Sequence, residues 1–441
     1  MNYELFCTFA PQMTKYNTLT LDNGMRVIHL PSEAQVVYCG IAVKAGSRHE
    51  QPGEEGLAHF CEHLAFKGTE RRSAVQVINA IEGLGGELNA FTNKEDTVFY
   101  CAIQAQHVRK AIDVLCDIVF HSNYPQHEVE KEREVVCDEI ESYEDSPAEL
   151  IFDEIENILF EGHPLGHNIL GTSEQVRQYT SDDARRFTAR YYRPENSVFF
   201  ASGNVDFKRL VAALRSSPCE APLRSSPCEA VFPPRLPSCE APLRSSPCEA
   251  VFPPRLPSRT AEIIRHRGTH QAHVIMGAPA YAADDPRRWA LYLINNILGG
   301  PGLNSRLNLS LRERNGLVYS VESSMVGYGD TGCWCVYFGC DPHDVKHCQR
   351  LVLRELNRLM RQPLTPTQLR KAKQQIQGQL AIASDSREHF ALDFAKNFLH
   401  LGKERDLSDI MRHIDCLTPD DLQQAACYVF DERRITTLIY E

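Results

Sequence analysis

The chain has 441 residues, of which 43% are hydrophobic and 24% charged, a composition typical of a globular protein with room for two or three domains. Its formal net charge of -11 comes from an acidic excess in residues 1–210. Nucleic-acid binding requires a basic surface, so this charge argues against nucleic acid as a partner. Cationic or neutral peptides would suit the acidic half better.

The sixteen cysteines are scattered singly along the chain, unlike those of small disulfide-linked folds. We therefore expect reduced thiols and a cytoplasmic location. Residues 1–30 lack the apolar run of a signal peptide and the arginine content of a transit peptide, and we interpret residues 1–15 as an N-terminal extension. No stretch reaches the ~18 apolar residues of a membrane span, so no membrane partner is expected.

Residues 16–214 are predicted to form one unit in which helices and strands are mixed, as in an α+β structure. It opens with a hairpin over residues 18–31, because Asp22-Asn23-Gly24 separates two runs that favour strands. The periodicity then predicts strands at 36–46, 97–103 and 197–202, and helices at 56–66, 73–84, 108–119 and 128–143.

Residues 215–258 have a different character. The peptide APLRSSPCEAVFPPRLPS occurs at 221–238 and again, unchanged, at 241–258. Its proline content disfavours both helix and sheet hydrogen bonding. We interpret 215–258 as a flexible linker rich in Pro, Ser and Arg; the alternative is a proline-rich docking motif.

From residue 259 to 441 the pattern becomes globular again. Strands are predicted at 270–277 and within 318–340, and helices at 287–298, 304–314, 345–361, 365–382 and 387–400.

Two histidines and a glutamate lie inside the predicted helix 56–66. His59 and His63 are four residues apart, so on a helix they share a face, where two imidazoles can bind one zinc ion. Glu62 lies beside that face and can reach a water on the metal as a general base. This is the inverted zinc-peptidase motif H-x-x-E-H. Because the motif also occurs by chance, two ordinary histidines on a surface or core helix are the alternative.

A catalytic zinc site needs a third protein ligand and an open position. The candidates are Glu132 and Glu139, which lie two turns apart on the predicted helix 128–143 and so share a face. One could bind zinc while the other accepts a hydrogen bond from a ligand histidine. Their spacing alone does not decide between this arrangement and a solvated charged face.

The chain resembles the family of pitrilysin, insulin-degrading enzyme and mitochondrial processing peptidase in two segments, HFCEH at residues 59–63 and EREVVCDEI at residues 132–140. The resemblance implies that the third ligand is the glutamate 76 residues after the second histidine, which is Glu139. It also implies that Glu132, seven residues earlier, orients a ligand histidine. One zinc ion per chain is therefore the expected cofactor.

Two further segments resemble substrate-binding motifs of that family. GGELNAFT matches a strand edge that holds the substrate backbone, which points to Asn89 and Ala90. LRERNGLVY matches an Arg…Tyr pair, so the resemblance implies that Arg312 grips a substrate carbonyl and that Tyr319 donates a hydrogen bond to the oxyanion. From composition alone, Asn89 would be a turn residue, Arg312 a surface charge and Tyr319 a strand-core aromatic.

The resemblance covers nearly the whole chain outside residues 1–15 and the repeat. It implies an α+β fold of two similar domains, each a largely antiparallel sheet with helices packed on it. Residues 16–214 would form the catalytic zinc-binding domain, and residues 259–441 the domain with the Arg…Tyr pair. The expected function is that of a zinc metalloendopeptidase, which cleaves peptides or unfolded polypeptide segments with a zinc-activated water and Glu62 as general base.

Members of that family enclose the substrate between two such double domains, and this chain supplies one. We therefore expect a homodimer, or a heterodimer with a related subunit, as well as peptide substrates. The alternative function is that of a non-catalytic, zinc-retaining or structural subunit of a heteromeric complex. Loss of a ligand or of the base would mark such a subunit, and here His59, Glu62, His63 and Glu139 are all present.

Overall fold

The computed structural model describes residues 15–217 and 261–441. The repeat, together with nearly all of the expected N-terminal extension and linker, lies outside these residues. The last helix before the gap, Phe207–Ser216, continues past the expected start of the linker at residue 215. Among the described residues, no helix has the length and apolarity needed to cross a membrane.

The first sheet has six strands in the order β1-β2-β6-β3-β5-β4. All neighbouring strands are antiparallel except β2 and β6. β4 pairs only with β5, so it forms one edge of the sheet. The strands are β1 (Asn17–Thr20), β2 (Arg26–Pro31), β3 (Val36–Val43), β4 (Glu87–Thr92), β5 (Thr97–Gln104) and β6 (Ser197–Gly203).

Within residues 15–217, eight α-helices accompany this sheet. One of them, α3, covers its central strands β3 and β5, while α1 and α2 pack against the edge strand β4. The helices are α1 (Leu57–Ala65), α2 (Ala74–Glu82), α3 (Val108–Phe120), α4 (Gln126–Glu144), α5 (Pro147–Leu159), α6 (Ser173–Val176), α7 (Ser181–Tyr191) and α8 (Phe207–Ser216).

The second sheet has five strands in the order β7-β11-β8-β10-β9, and only β7 and β11 are parallel. Its strands are β7 (Glu262–Arg265), β8 (Ala272–Ala280), β9 (Val318–Gly327), β10 (Gly332–Cys340) and β11 (Thr436–Tyr440). The accompanying helices are α9 (Arg288–Gly299), α10 (Val345–Arg361), α11 (Pro366–Ser384), α12 (Arg387–Leu401), α13 (Leu407–Cys416) and α14 (Pro419–Val429). The predicted class, two similar α+β units with largely antiparallel sheets, is confirmed.

The two halves exchange a helix. Strand β10 is buried along its whole length, so its sheet must be covered on both faces, and α5 from the first half supplies one of the covers. In return, α12 from the second half packs on β3 and β6 of the first sheet. The buried side chains on these helices are Leu150, Ile151, Ile155 and Leu159 of α5, and Ala391, Phe394, Ala395 and Leu399 of α12. Each hydrophobic core therefore depends on a helix that the sequence assigns to the other half.

One predicted helix has a different form. Residues 304–314 were expected to be a regular helix, and instead a π-helix spans Asn308–Glu313. The amide of Arg314 donates to the carbonyl of Leu309, five residues earlier, so the backbone contains an extra residue per turn. This irregular turn contains Arg312, one of the predicted substrate-binding residues.

Candidate metal centre

Helix α1 carries the two histidines and is fixed at its N-terminus by a buried carboxylate. Glu50 accepts hydrogen bonds from the amides of Gly56 (3.1 Å) and Ala58 (2.7 Å), which have no partner within the helix. His167 contacts the same carboxylate at 2.9 Å. Gly56 has φ +91°, and a Cβ there would lie 2.5 Å from the carbonyl oxygen of Leu170. The start of α1 therefore requires glycine and is fixed to the loop that carries His167 and Leu170.

The structure brings His59, His63 and Glu139 together. Nε2 of His59 lies 3.8 Å from one Glu139 oxygen, and Nε2 of His63 lies 3.3 Å from the other. The two imidazole rings have centroids 4.6 Å apart. One potential ligand atom from each of the three side chains lies within 4.8 Å of the others. Among the described residues, this is the one such cluster of three or more His, Cys, Asp or Glu side chains.

These distances fit a tetrahedral zinc site. Ligand atoms about 2.1 Å from a tetrahedral ion are roughly 3.4 Å from one another, close to the separations of 3.3 and 3.8 Å between the histidine nitrogens and Glu139. Two imidazoles and one carboxylate are also a donor set that catalytic zinc sites use. The cysteines near the motif are not needed, since Cys61 and Cys137 are buried with their thiols directed at the backbone carbonyls of Ala184 and Ser173.

Glu132 does not belong to the ligand cluster but orients one of its members. Its buried carboxylate accepts a hydrogen bond from Nδ1 of His63 at 3.0 Å, so Nε2 of His63 is the nitrogen that faces Glu139. The second Glu132 oxygen lies 2.6 Å from Nζ of Lys67. His59 differs, because its Nδ1 is buried and forms no hydrogen bond with the described residues.

The two histidines have opposite pKa shifts in the metal-free protein. Burial, together with the nearby His63, lowers the pKa of His59 to about 4. Burial also acts to lower the pKa of His63, but hydrogen bonds to Glu132 and Glu139 outweigh it and raise this pKa to about 9. Glu139 is held ionised, because its hydrogen bond with His63 lowers its pKa. At neutral pH one ligand histidine is therefore neutral and the other is protonated.

Glu62 lies on the same helix but its carboxylate is not part of the ligand cluster. It is 7% exposed, and burial raises its pKa. One of its oxygens, Oε2, accepts a hydrogen bond of 2.6 Å from the hydroxyl of Thr92 on β4. A carboxylate that lies beside the candidate ligands, is held by a single hydrogen bond and is not itself in the ligand cluster is suited to accept a proton.

The predicted substrate-binding residues lie on the two sheets. Asn89 is exposed and Ala90 is half-buried on the edge strand β4, against which α1 packs. Arg312 lies over the ring of Tyr319, with its guanidinium carbon 5.9 Å from the ring centroid. Tyr319 is the second residue of the edge strand β9 and is 83% exposed, so it is not the strand-core aromatic that composition favours. Among the described residues, no hydrogen bond, ion pair or ring contact joins Arg312 or Tyr319 to the cluster of histidines and Glu139.

Three side chains around the cluster were not identified from the sequence: Glu50, Lys67 and Thr92. Lys67 follows His63 by four residues but lies beyond the end of α1 at Ala65, so helical spacing does not identify it. The contacts of Glu50 and Thr92 bring together segments that are separated in sequence, and no local pattern predicts them.

Residues 26–173 match the family described as insulinase (peptidase family M16), and residues 178–376 match the peptidase M16 inactive domain. An uncharacterized zinc protease of Streptomyces coelicolor is 35% identical to this chain, over 95% of the chain and 88% of the relative. The chain belongs to peptidase family M16. Another member, an uncharacterized zinc protease of Bacillus subtilis, is 31% identical over 95% of this chain and 97% of its own length.

Solved structures share the fold over nearly the whole M16 chain. A protease from Helicobacter pylori superposes with a TM-score of 0.84 at 22% identity, covering 97% of this chain and 100% of that one. The M16 inactive domain from Pseudomonas fluorescens gives 0.81 at 18% identity, covering 97% of each chain. The cluster of His59, His63 and Glu139 lies entirely in the half that matches the insulinase model, not in the half that matches the inactive domain.

The contacts of Glu132 and Glu139 predict different effects on zinc retention. Glu139→Gln removes a charged ligand and should lower zinc affinity by more than 100-fold, whereas Glu132→Gln removes only an orienting partner and should cost about 10- to 100-fold. Zinc content after graded chelation, measured by elemental analysis, separates the two variants. Equal retention would contradict the assignment of Glu139 as the ligand.

Zinc binding should release a proton. With a pKa of about 9, His63 is protonated at pH 7, and it must lose that proton to act as a ligand; His59, with a pKa of about 4, is already neutral. Titration calorimetry in buffers of different ionisation enthalpy should therefore give about one proton per zinc from His63 at pH 7, in addition to any proton lost by a zinc-bound water, and the His63 contribution should fall toward zero above pH 9. Apparent zinc affinity should rise with pH up to that point. Release of no proton at pH 7 would contradict the raised pKa of His63.

Proposed function

We propose that this M16 chain is a zinc metalloendopeptidase that hydrolyses peptides or unfolded polypeptide segments, with Glu62 as the general base. The observation that carries the proposal is the convergence of His59, His63 and Glu139, with a second acidic side chain, Glu62, beside them and outside the ligand set. Membership of a peptidase family and the zinc-protease names of the relatives support the coarser statement that the chain is a zinc peptidase.

The metal assignment is one zinc ion per chain, held by Nε2 of His59, Nε2 of His63 and a carboxylate oxygen of Glu139. When bound, zinc supplies Lewis acidity, which lowers the pKa of a water toward about 7 and polarises a peptide carbonyl. The buried carboxylate of Glu132 forms an ion pair with the partly exposed Lys67 and holds the imidazole of His63. Since this carboxylate already accepts a hydrogen bond from His63 and forms an ion pair with Lys67, it remains an orienting group.

Glu62 would take a proton from the attacking water and return it to the leaving amine. Its pKa is raised by burial, which makes the carboxylate a better base than an exposed glutamate. The free edge of β4, at Asn89 and Ala90, would bind the substrate backbone as an added strand. This arrangement favours extended peptides, because a segment must be extended to pair with the backbone of an edge strand.

Arg312 and Tyr319 would contribute a substrate-carbonyl contact and an oxyanion donor. Their mutual contact, the 83% exposure of Tyr319 and its position at an edge of the second sheet support a role toward a partner surface. We propose a homodimer in which these two side chains of one subunit approach the metal centre of the other. Each site would then require both chains.

Glu62→Gln separates metal binding from turnover. The variant should keep its zinc, because Glu62 is not a ligand, and should lose activity by about 100-fold or more, in line with the loss of a general base. Zinc content and hydrolysis of a mixed peptide library would be measured on the same preparations. Glu134→Gln, an exposed glutamate on α4, is the matched control and should behave as wild type. Substantial activity in Glu62→Gln would refute the role, and a zinc-loaded wild type without activity would favour a non-catalytic subunit.

The shared-site dimer predicts complementation between two inactive chains. A Glu62→Gln chain and an Arg312→Ala/Tyr319→Phe chain are combined by unfolding and refolding together, so that half of the dimers are mixed. Each mixed dimer would hold one intact site of two, and recovery should approach about a quarter of wild-type activity by random pairing of symmetric subunits. Mixed dimers would be verified by differential tagging. No recovery in verified mixed dimers, or full activity of a monomer, would rule out shared sites.

A further inference from the structure

Strand β4 contacts the general-base candidate directly. Thr92 is the last residue of this strand, and its hydroxyl lies 2.6 Å from Oε2 of Glu62. The strand also carries Asn89 and Ala90, and side chains alternate along it, so Ala90 and Thr92 belong to the same face. Helix α1, with Glu62, packs against β4. The strand that would receive the substrate is therefore the strand that holds the base.

The number of hydroxyl protons determines which group is the donor in the hydrogen bond between Thr92 and Glu62. Thr92 has one hydroxyl proton and two oxygens in reach, Oε2 of Glu62 at 2.6 Å and the hydroxyl of Thr97 at 3.3 Å. Thr97 donates its own proton to the carbonyl oxygen of Ala45 at 2.8 Å. The carboxylate is both the nearer and the stronger acceptor. Thr92 therefore donates to Glu62, and its bond is charge-assisted.

The remaining oxygen of Glu62 has no such bond. Within residues 15–217 and 261–441, Oε1 of Glu62 forms no hydrogen bond, and this atom is not fully buried. A carboxylate held at one oxygen can rotate little about its side-chain axis. Its other oxygen then keeps a constant direction relative to the ligand cluster on the same helix.

We propose that Thr92 is a positioning residue for the reaction: it holds Oε2 of Glu62 so that Oε1 meets the attacking water. This inference rests on the proposed function. Substrate that adds to the edge of β4 would be bound through the backbone of that strand, whereas the Thr92 side chain reaches toward α1. Loss of the hydroxyl should therefore slow the chemical step and leave substrate binding nearly unchanged.

The test replaces the hydroxyl with a methyl group. Thr92→Val keeps the shape of a β-branched strand residue, and the loss of one charge-assisted hydrogen bond should lower kcat by about 10- to 100-fold, with KM within about twofold of wild type. Thr92→Ser restores the hydroxyl and should recover kcat to within about threefold. Zinc content and Tm should match wild type in both variants. A crystal structure of zinc-loaded Thr92→Val should show the Glu62 carboxylate in a changed rotamer or in two.

The control is Thr437→Val, which makes the same substitution at a buried strand residue of the second sheet, where the side chain forms no hydrogen bond with the described residues. It should retain wild-type kcat. If Thr92→Val loses zinc or folding, Thr92→Ala replaces it under the same criteria. A kcat of Thr92→Val within twofold of wild type, or a loss that serine does not rescue, overturns the positioning role while Glu62→Gln still abolishes activity. An active Glu62→Gln variant instead overturns the proposed function, and the inference falls with it.

Discussion

The hydrogen bond between Nδ1 of His63 and the buried carboxylate of Glu132 is the interaction on which the metal centre depends. It selects the ring nitrogen that faces Glu139 and links helices α1 and α4, which carry these groups. A buried carboxylate with one partner would be costly, and Lys67 provides the second at 2.6 Å. His59 has no comparable partner for its Nδ1, so the geometry of the site is set mainly from the His63 side.

Exchange of helices between the halves links this centre to the rest of the fold. α4, which carries Glu132 and Glu139, is followed directly by α5, and α5 packs on the second sheet. α12 returns the contact by covering the first sheet. The helix that carries Glu139 is therefore continuous in sequence with a helix that packs on the second sheet.

The sequence predicted those features that depend on local periodicity. His59 and His63 fall on one face of a helix because they are four residues apart, and most strand and helix positions follow from apolar spacing in the same way. Periodicity shows which face of α5 is apolar but not which sheet it covers, so the exchange could not be predicted. Spacing alone did not show whether Glu132 and Glu139 face α1 or solvent. The resemblance to the family supplied that prediction. The π-turn around Arg312 and the contacts of Glu50 and Thr92 arise from tertiary packing, which no single-sequence pattern encodes.

The central claim is that the metal is bound by two imidazoles and one carboxylate, with Glu132 and Glu62 outside the ligand set. A crystal structure of the zinc-loaded protein tests it most directly. Zinc should lie about 2.0–2.2 Å from Nε2 of His59, Nε2 of His63 and a carboxylate oxygen of Glu139, with Nδ1 of His63 still bonded to Glu132. Zinc bound by Glu132, by Glu62 or by Nδ1 of His63 would contradict the account.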